Sequence, residues 1–215
     1  MKRALLLLLA LATTSFAHAQ GAKGDAQAGA RKVAMCIGCH GIPGYQASFP
    51  EIHKVPMISG QNEGYLVAAL VAYKKGDRKH PTMRGIAMSL SDQDIADISA
   101  YYAGQGGNPE VPDTAAPAPA RVAELLTKGA CASCHGANFN KPIDGTYPKI
   151  AGQHADYLYV ALRSYRTQGN PNIGRANPIM GGIVQQFSNA EMKAMADYLA
   201  TLPGDLRTVP QPRFR

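Results

Sequence analysis

The chain has 215 residues, 46% of them hydrophobic and 17% charged, with a formal net charge of +7, a length that allows one or two domains. Its composition excludes collagen-like, coiled-coil, disordered and multi-span membrane proteins. The mild positive balance is spread over both halves, which excludes the concentrated basic stripe of a nucleic-acid binder.

The first predicted element is a secretory signal peptide at residues 1–19. Met1-Lys2-Arg3 is a basic start, Ala4 to Ala12 is a Leu/Ala run, and Ala17-His18-Ala19 before Gln20 is an A-x-A cleavage signal. The apolar run is well short of the ~20 residues needed to cross a bilayer. Export with cleavage after Ala19 is therefore expected, and loss of Lys2 and Arg3 lowers the net charge to +5.

The next segment, residues 20–104, begins with Cys36-Ile37-Gly38-Cys39-His40 and continues through Pro56-Met57-Ile58-Ser59-Gly60-Gln61. Leu66, Ala69, Leu70 and Tyr73 form a stripe at helical spacing. A loop carrying Pro81 and Met83 follows. Ser91 and Asp94 have the spacing of a capping box, which predicts a helix with Ile95, Ile98, Tyr101 and Tyr102 on one face. Residues 105–120 hold four prolines and two glycines, the composition of a semi-extended linker that buries no core of its own.

Residues 121–215 repeat the first segment. Cys131-Ala132-Ser133-Cys134-His135 matches the first cysteine motif, and Pro148-Lys149-Ile150-Ala151-Gly152-Gln153 matches the block at Pro56. Leu158, Ala161, Leu162 and Tyr165 form the second helical stripe. Met180 follows Pro178 in a loop, and Ser188 with Glu191 opens a last helix carrying Met192, Met195, Tyr198 and Leu199. No segment alternates with period two. The expected fold class is all-α, as two small domains in tandem. Each is too short for a large side-chain core, and the chain has no Trp, so something besides side chains is expected to fill them.

All four cysteines lie in the two CxxCH motifs. A redox disulfide, a four-sulfur zinc site and structural disulfides are the competing uses. None of them requires a histidine directly after both pairs. Covalent haem c attachment does: Cys36 and Cys39, and Cys131 and Cys134, would add to the porphyrin vinyl groups, while His40 and His135 supply axial ligands to iron. Met83 and Met180 are the expected sixth ligands, because each lies eight residues before its capping serine. Met88 has Gln185 as its counterpart, Met57 aligns with Lys149, and Met192 and Met195 read as core residues. His80 is near enough to Met83 to compete as a ligand, but its counterpart is not histidine; His53, His80 and His154 read as surface or capping residues. Pro56 and Pro148 read either as turn prolines or as the carbonyl partners that orient the axial histidines.

At these motifs the chain resembles the dihaem cytochrome c4 family, in which two monohaem cytochrome c domains are joined in tandem. The resemblance rests on both CxxCH motifs, on VPMISGQ and YPKIAGQ, and on Met83 and Met180 ahead of SLSDQDIADISAYYAGQ and QFSNAEMKAMADYLATL. It implies that Pro56 and Pro148 hold His40 and His135, that two haem c groups face one another across a pseudo-twofold interface, and that the protein carries electrons in the periplasm toward a terminal oxidase. Two departures stand out. Gly29 occupies the usual place of a glycine at the crossing of first and last helices, whereas Glu124 occupies it in the second half; and PMISGQ replaces the more usual PKLAGQ.

The expected function is one-electron carriage in a respiratory chain, with no catalytic residue and no small-molecule substrate. A redox-protein donor and a membrane terminal oxidase acceptor are the expected partners, with room for peripheral membrane association and none for nucleic acid. Two alternatives share the domain plan: the dihaem cytochrome subunit of a dehydrogenase such as flavocytochrome c sulfide dehydrogenase, and a dihaem peroxidase. The peroxidase needs one iron with an open position, against which the pair Met83 and Met180 argues. Four propionates would bring the net charge near zero, which weakens long-range steering as a guide to partners.

Overall fold

A computed structural model of the protein describes residues 23–107 and 110–211; the expected signal peptide lies outside them. The first half contains α1 (Ala26–Lys32), α2 (Ala34–His40), the short strands β1 (Gln46–Ala47) and β2 (His53–Lys54), α3 (Glu63–Lys75), β3 (Arg78–Lys79), α4 (Pro81–Met88) and α5 (Asp92–Ala103). The second half contains α6 (Ala120–Lys128), α7 (Cys131–His135), α8 (Ala155–Ser164), β4 (Gly174–Arg175), α9 (Pro178–Val184) and α10 (Asn189–Thr201). The strands are two residues each, so the fold is all-α with two small ladders.

Local chemistry accounts for the helix ends. Both capping boxes form: Ser91 Oγ accepts from the Asp94 backbone and Ser188 Oγ from that of Glu191, and each carboxylate accepts in return. Asp25 caps α1 by accepting from Gln27 N at 2.8 Å. At its C-terminus α3 stops on Gly76, whose φ of 87° is left-handed. The methionine segments, read from sequence as loops, are helices α4 and α9. Pro81 and Pro178 sit in their first turns, where a missing N–H costs nothing.

Each half has its own core. In the first, Val33, Ile37, Leu66, Leu90, Ile95, Ile98 and Tyr102 pack together. Gly29 lets α1 approach α5 so closely that a Cβ there would collide with the Asp97 carbonyl. In the second, Val122, Leu125, Phe187, Met192, Met195 and Leu199 are among the buried residues, which places both helical methionines in the core as expected. The two stripes on α3 and α8 behave differently. Leu66 and Leu158 are buried, but Leu70, Tyr73, Leu162 and Tyr165 remain half-buried because they face a cavity instead of other side chains.

Part of the Pro/Ala-rich segment lies along the second half. The Pro112 carbonyl accepts from Asn138 Nδ2 at 2.8 Å, and the Ala116 carbonyl accepts from Tyr198 OH at 2.6 Å. Ala115 and Ala118 pack against the second core. Extended backbone has no internal hydrogen bonds, so its carbonyls are free for such partners.

The halves are joined by reciprocal contacts. Gln61 Nε2 donates to the Lys149 carbonyl at 2.9 Å while Gln61 Oε1 accepts from Lys149 N at 2.9 Å. Gln153 makes the mirror pair with Met57 O and Met57 N, at 2.8 and 3.0 Å. Strand β3 pairs antiparallel with β4, setting Arg78 opposite Arg175. Equivalent residues of the repeat thus meet across a pseudo-twofold relation. The β1–β2 ladder has no counterpart among the described residues of the second half, and it buries His53, whose ring Nδ1–H donates to the Lys54 carbonyl. His53, which reads from the sequence as a surface or capping residue, is neither: the hairpin, which the sequence shows only as a longer loop, draws it inward.

Candidate functional site

Every site residue read from the sequence lines one continuous cavity of about 550 Å³ that runs between the halves. Cys36, Cys39, His40, Pro56 and Met83 line it from the first half, and Cys131, Cys134, His135, Pro148 and Met180 from the second. All four cysteines are free and half-buried. Among the described residues no three His, Cys, Asp or Glu side chains converge on a metal position, so the two cysteine pairs are not gathered into a four-sulfur zinc site.

Helices α2 and α7 carry the CxxCH motifs and each ends on its histidine. In α2 the turn of chain puts Cys36 and Cys39 on one flank and His40 at the last position. The second motif is entered through Ala130, whose φ of 47° is left-handed, so α7 starts abruptly after α6. The His40 ring Nδ1–H donates to the Pro56 carbonyl at 2.8 Å, and the His135 ring does the same to Pro148 at 2.9 Å. That bond fixes the tautomer and leaves Nε2 as the lone-pair nitrogen. Desolvation in the crevice lowers the pKa of both imidazoles, working against the carbonyl bonds. They are therefore held neutral, as metal ligation requires. Burial pushes the thiols of Cys36 and Cys131 up to about 11, the opposite of the lowering that activates a redox-centre cysteine.

Met83 and Met180 enter the cavity from the opposite elements. His80 and Asn177 are the N-caps of α4 and α9, and their side chains accept from Met83 N and Met180 N at 3.4 and 2.9 Å. His80 is thus a capping residue with an asparagine as its equivalent. Met88 is exposed at 60% and lies off the cavity lining.

The lining tests what the cavity holds. It is mostly apolar, with Leu66, Leu70, Leu158 and Leu162 on its walls, yet it contains buried polar atoms with no partner among the described residues: Ser99 Oγ and Arg78 Nε. A flat apolar disc bearing carboxylates suits both features, which a porphyrin supplies. Two residues absent from the sequence reading stand here, Arg78 and Arg175. Each lies five residues before its methionine, a repeated spacing that could have marked them.

Known proteins resemble this chain over most of its length. The Cytochrome c family model matches residues 26–104 and 119–203. Cytochrome c4 from Stutzerimonas stutzeri is 36% identical over 213 residues, covering 91% of this chain and 96% of that protein. Cytochrome c4 from Azotobacter vinelandii is 35% identical, covering 94% and 100%. The crystal structure of reduced recombinant cytochrome c4 from Pseudomonas stutzeri superposes with a TM-score of 0.64 at 33% identity, over 84% of this chain and 100% of that one.

Proposed function

Because the chain belongs to the dihaem cytochrome c4 family, we propose that it is a periplasmic one-electron carrier that passes electrons from a redox-protein donor to a membrane terminal oxidase. As a member of that family it carries two covalently bound haem c groups and exchanges electrons with redox partners. We assign residues 20–104 and 121–215 to the two domains and residues 105–120 to the linker. The observation that carries the site assignment is the same bond made twice: His40 to Pro56 and His135 to Pro148, each beside a free cysteine pair facing the cavity.

In this reading Cys36, Cys39, Cys131 and Cys134 form the thioether bonds. His40 and His135 would hold the iron through Nε2, and Met83 and Met180 would supply soft sulfur, which favours the ferrous state. Each haem supplies a ferric–ferrous couple. The apolar walls of α3 and α8 exclude water, and the Pro56 and Pro148 carbonyls hold the imidazoles in place through the redox change. An iron held by both a histidine and a methionine would have no open position for peroxide or oxygen, which favours a carrier over a peroxidase. Export through the signal peptide at residues 1–19 would deliver the chain to the compartment where haem c is attached.

Acid–acetone extraction should leave two haems per chain with the protein. The reduced protein should resist carbon monoxide, show negligible peroxidase turnover, and be reoxidised quickly only when membranes containing a terminal oxidase are added. Freely extractable haem would defeat the attachment reading. Rapid carbon monoxide binding by half the haem would defeat the assignment of one methionine, and oxidase-independent reoxidation would defeat the proposed acceptor.

A further inference from the structure

The repeat brings six equivalent residues together where the two halves meet: Arg78 and Arg175, Tyr65 and Tyr157, Tyr73 and Tyr165. All six line the cavity. Arg78 Nη1 donates to Tyr65 OH at 3.1 Å and Nη2 to Tyr157 OH at 2.6 Å, while Arg175 Nη2 donates to the same Tyr157 oxygen at 3.2 Å. Arg78 also stacks on Tyr73, 4.7 Å from the ring centre, and Arg175 on Tyr165 at 5.4 Å. One phenol from the second half is thus shared by a guanidinium from each half.

The charge of this cluster is unbalanced. The two cations face each other across the β3–β4 ladder, an arrangement that is repulsive by itself. No ion pair among the described residues includes either arginine. Arg78 is buried and its Nε has no acceptor. Stacked and hydrogen-bonded phenols orient a guanidinium, but the one hydroxyl that both arginines share, on Tyr157, can bring at most one negative charge against two cations, and a buried cation without a full counter-charge is strongly unfavourable. Burial would raise the Tyr157 pKa, yet Arg175 and Arg78 pull it down to about 7, which shows how strongly positive this end of the cavity is. A guanidinium fork matches a carboxylate in two-point geometry.

We propose that Arg78 and Arg175, oriented by Tyr157, form one clamp shared between the domains that binds the propionate carboxylates of both haems. The clamp rests on the haem reading above and deepens it, because it makes each domain's arginine part of the electrostatic surroundings of both irons. A neighbouring cation that neutralises a propionate disfavours the ferric state; losing it stabilises ferric iron and lowers the reduction potential. A shared clamp therefore predicts that one substitution moves two potentials.

Spectroelectrochemical titration of the full-length holoprotein and of Arg78→Gln tests this. Pyridine haemochrome analysis of the wild type comes first, since a protein without two covalent haems would sink the underlying reading before the clamp is judged. In Arg78→Gln both haems should shift toward the ferric state by about tenfold or more, about 59 mV for a one-electron couple. The propionate bending bands in the resonance Raman spectrum should shift with them. Arg175→Gln should do the same, and Arg163→Gln, which removes an arginine bound to Glu51, should leave both potentials in place. A shift confined to the haem of one domain, or none in either, overturns the shared clamp. If Arg78→Gln does not load haem, Tyr157→Phe keeps the ring and removes only the shared hydroxyl; it should lower both potentials by a smaller factor, and unchanged potentials and Raman bands there overturn the proposal. Wild-type potentials that move when phosphate replaces chloride at constant ionic strength would show that the clamp holds solvent anions instead, and would overturn it as well.

Discussion

At the scale of single residues, the ligand assignment makes a one-sided prediction. Met83→His is expected to lower the potential of one haem by more than tenfold in its redox equilibrium, more than about 59 mV, and to leave the other nearly unchanged, because histidine lacks the sulfur that favours ferrous iron. Loss of the methionine–iron charge-transfer band from one haem would accompany it. Met88→Leu, at an exposed position outside the cavity, is the control and should alter neither potential; equal shifts in both haems with Met83→His would mean the ligand is misassigned. The cysteine, histidine and methionine positions that line the cavity were legible in the sequence because the proposed thioether and axial bonds would impose spacing on the chain itself. Arg78 and Arg175 were not, since their role depends on two strands that only the folded chain brings side by side. His53 was misread for a similar reason: a two-residue ladder decides its burial, and no periodicity announces a ladder that short.

Asp97 gives a second residue-level prediction, in the pH dependence of stability. It accepts from Lys32 Nζ at 2.6 Å, from Asp25 N at 2.9 Å and from Gln93 Nε2 at 2.7 Å. Lys32 first, then the other two, lower its pKa to about 2, below the ordinary aspartate value of about 3.9. Because the folded-state value is the lower one, the stabilisation is fully present above about pH 4 and is lost as pH falls through about 2. Asp97→Asn should therefore be less stable than wild type near neutrality and should lose less stability on acidification. Denaturant midpoints measured along a pH series read this directly, and parallel curves for the two proteins would contradict it.

Among the elements, the two halves solve the same packing problem differently. In the first, Gly29 sits against the Asp97 carbonyl where α1 crosses α5. In the second, the equivalent Glu124 is exposed on α6, and Arg121 on that helix bonds both Glu124 and Glu191. Gly29→Ala should force these helices apart and cost roughly 1–3 kcal/mol, the range for overpacking. Glu124→Gly meets no such constraint and should cost about 1 kcal/mol through helix propensity, with the exposed ion pair to Arg121 adding little. Ser188→Ala, which removes one half of a capping box, should also cost about 1 kcal/mol. Urea unfolding monitored by far-UV circular dichroism ranks the three, and a Gly29→Ala protein as stable as wild type would show that the α1–α5 crossing is looser than its backbone spacing implies. The capped helices were readable because Ser-x-x-Asp/Glu is a local signal. The helices bearing Met83 and Met180 were read as loops because Pro81 and Pro178 look like breakers, although proline at the first turn starts a helix as readily as it ends one.

For the molecule as a whole, the question is what makes two small domains behave as one. Gln61 and Gln153 are both buried, at 4% and 3% exposure, and each satisfies a backbone N–H and a carbonyl of the opposite half. These amides are invisible as partners in the sequence, where they are only the last letters of two matching blocks. Removing either side chain leaves two backbone groups of the opposite half, and the N–H of the following residue, Asn62 or His154, without their partners, at about 1–3 kcal/mol for each that stays dry. The β3–β4 ladder and the Ser59–Arg207 bridge remain, so the double variant should keep both domains folded while weakening their union. The wild-type holoprotein is expected to unfold in one calorimetric transition, with the Soret circular dichroism of both haems lost together, and Gln61→Ala/Gln153→Ala in two, because each core then melts at its own temperature. A single transition retained in the double variant would mean that the remaining contacts between the halves, among them the ladder, the clamp around Arg78 and Arg175, the Asn62–Tyr147 bond and the Arg163–Glu51 ion pair, suffice to couple them. Adding Arg78→Gln to the double variant isolates the clamp's share, since the ladder is made by backbone groups and survives that change while the clamp does not.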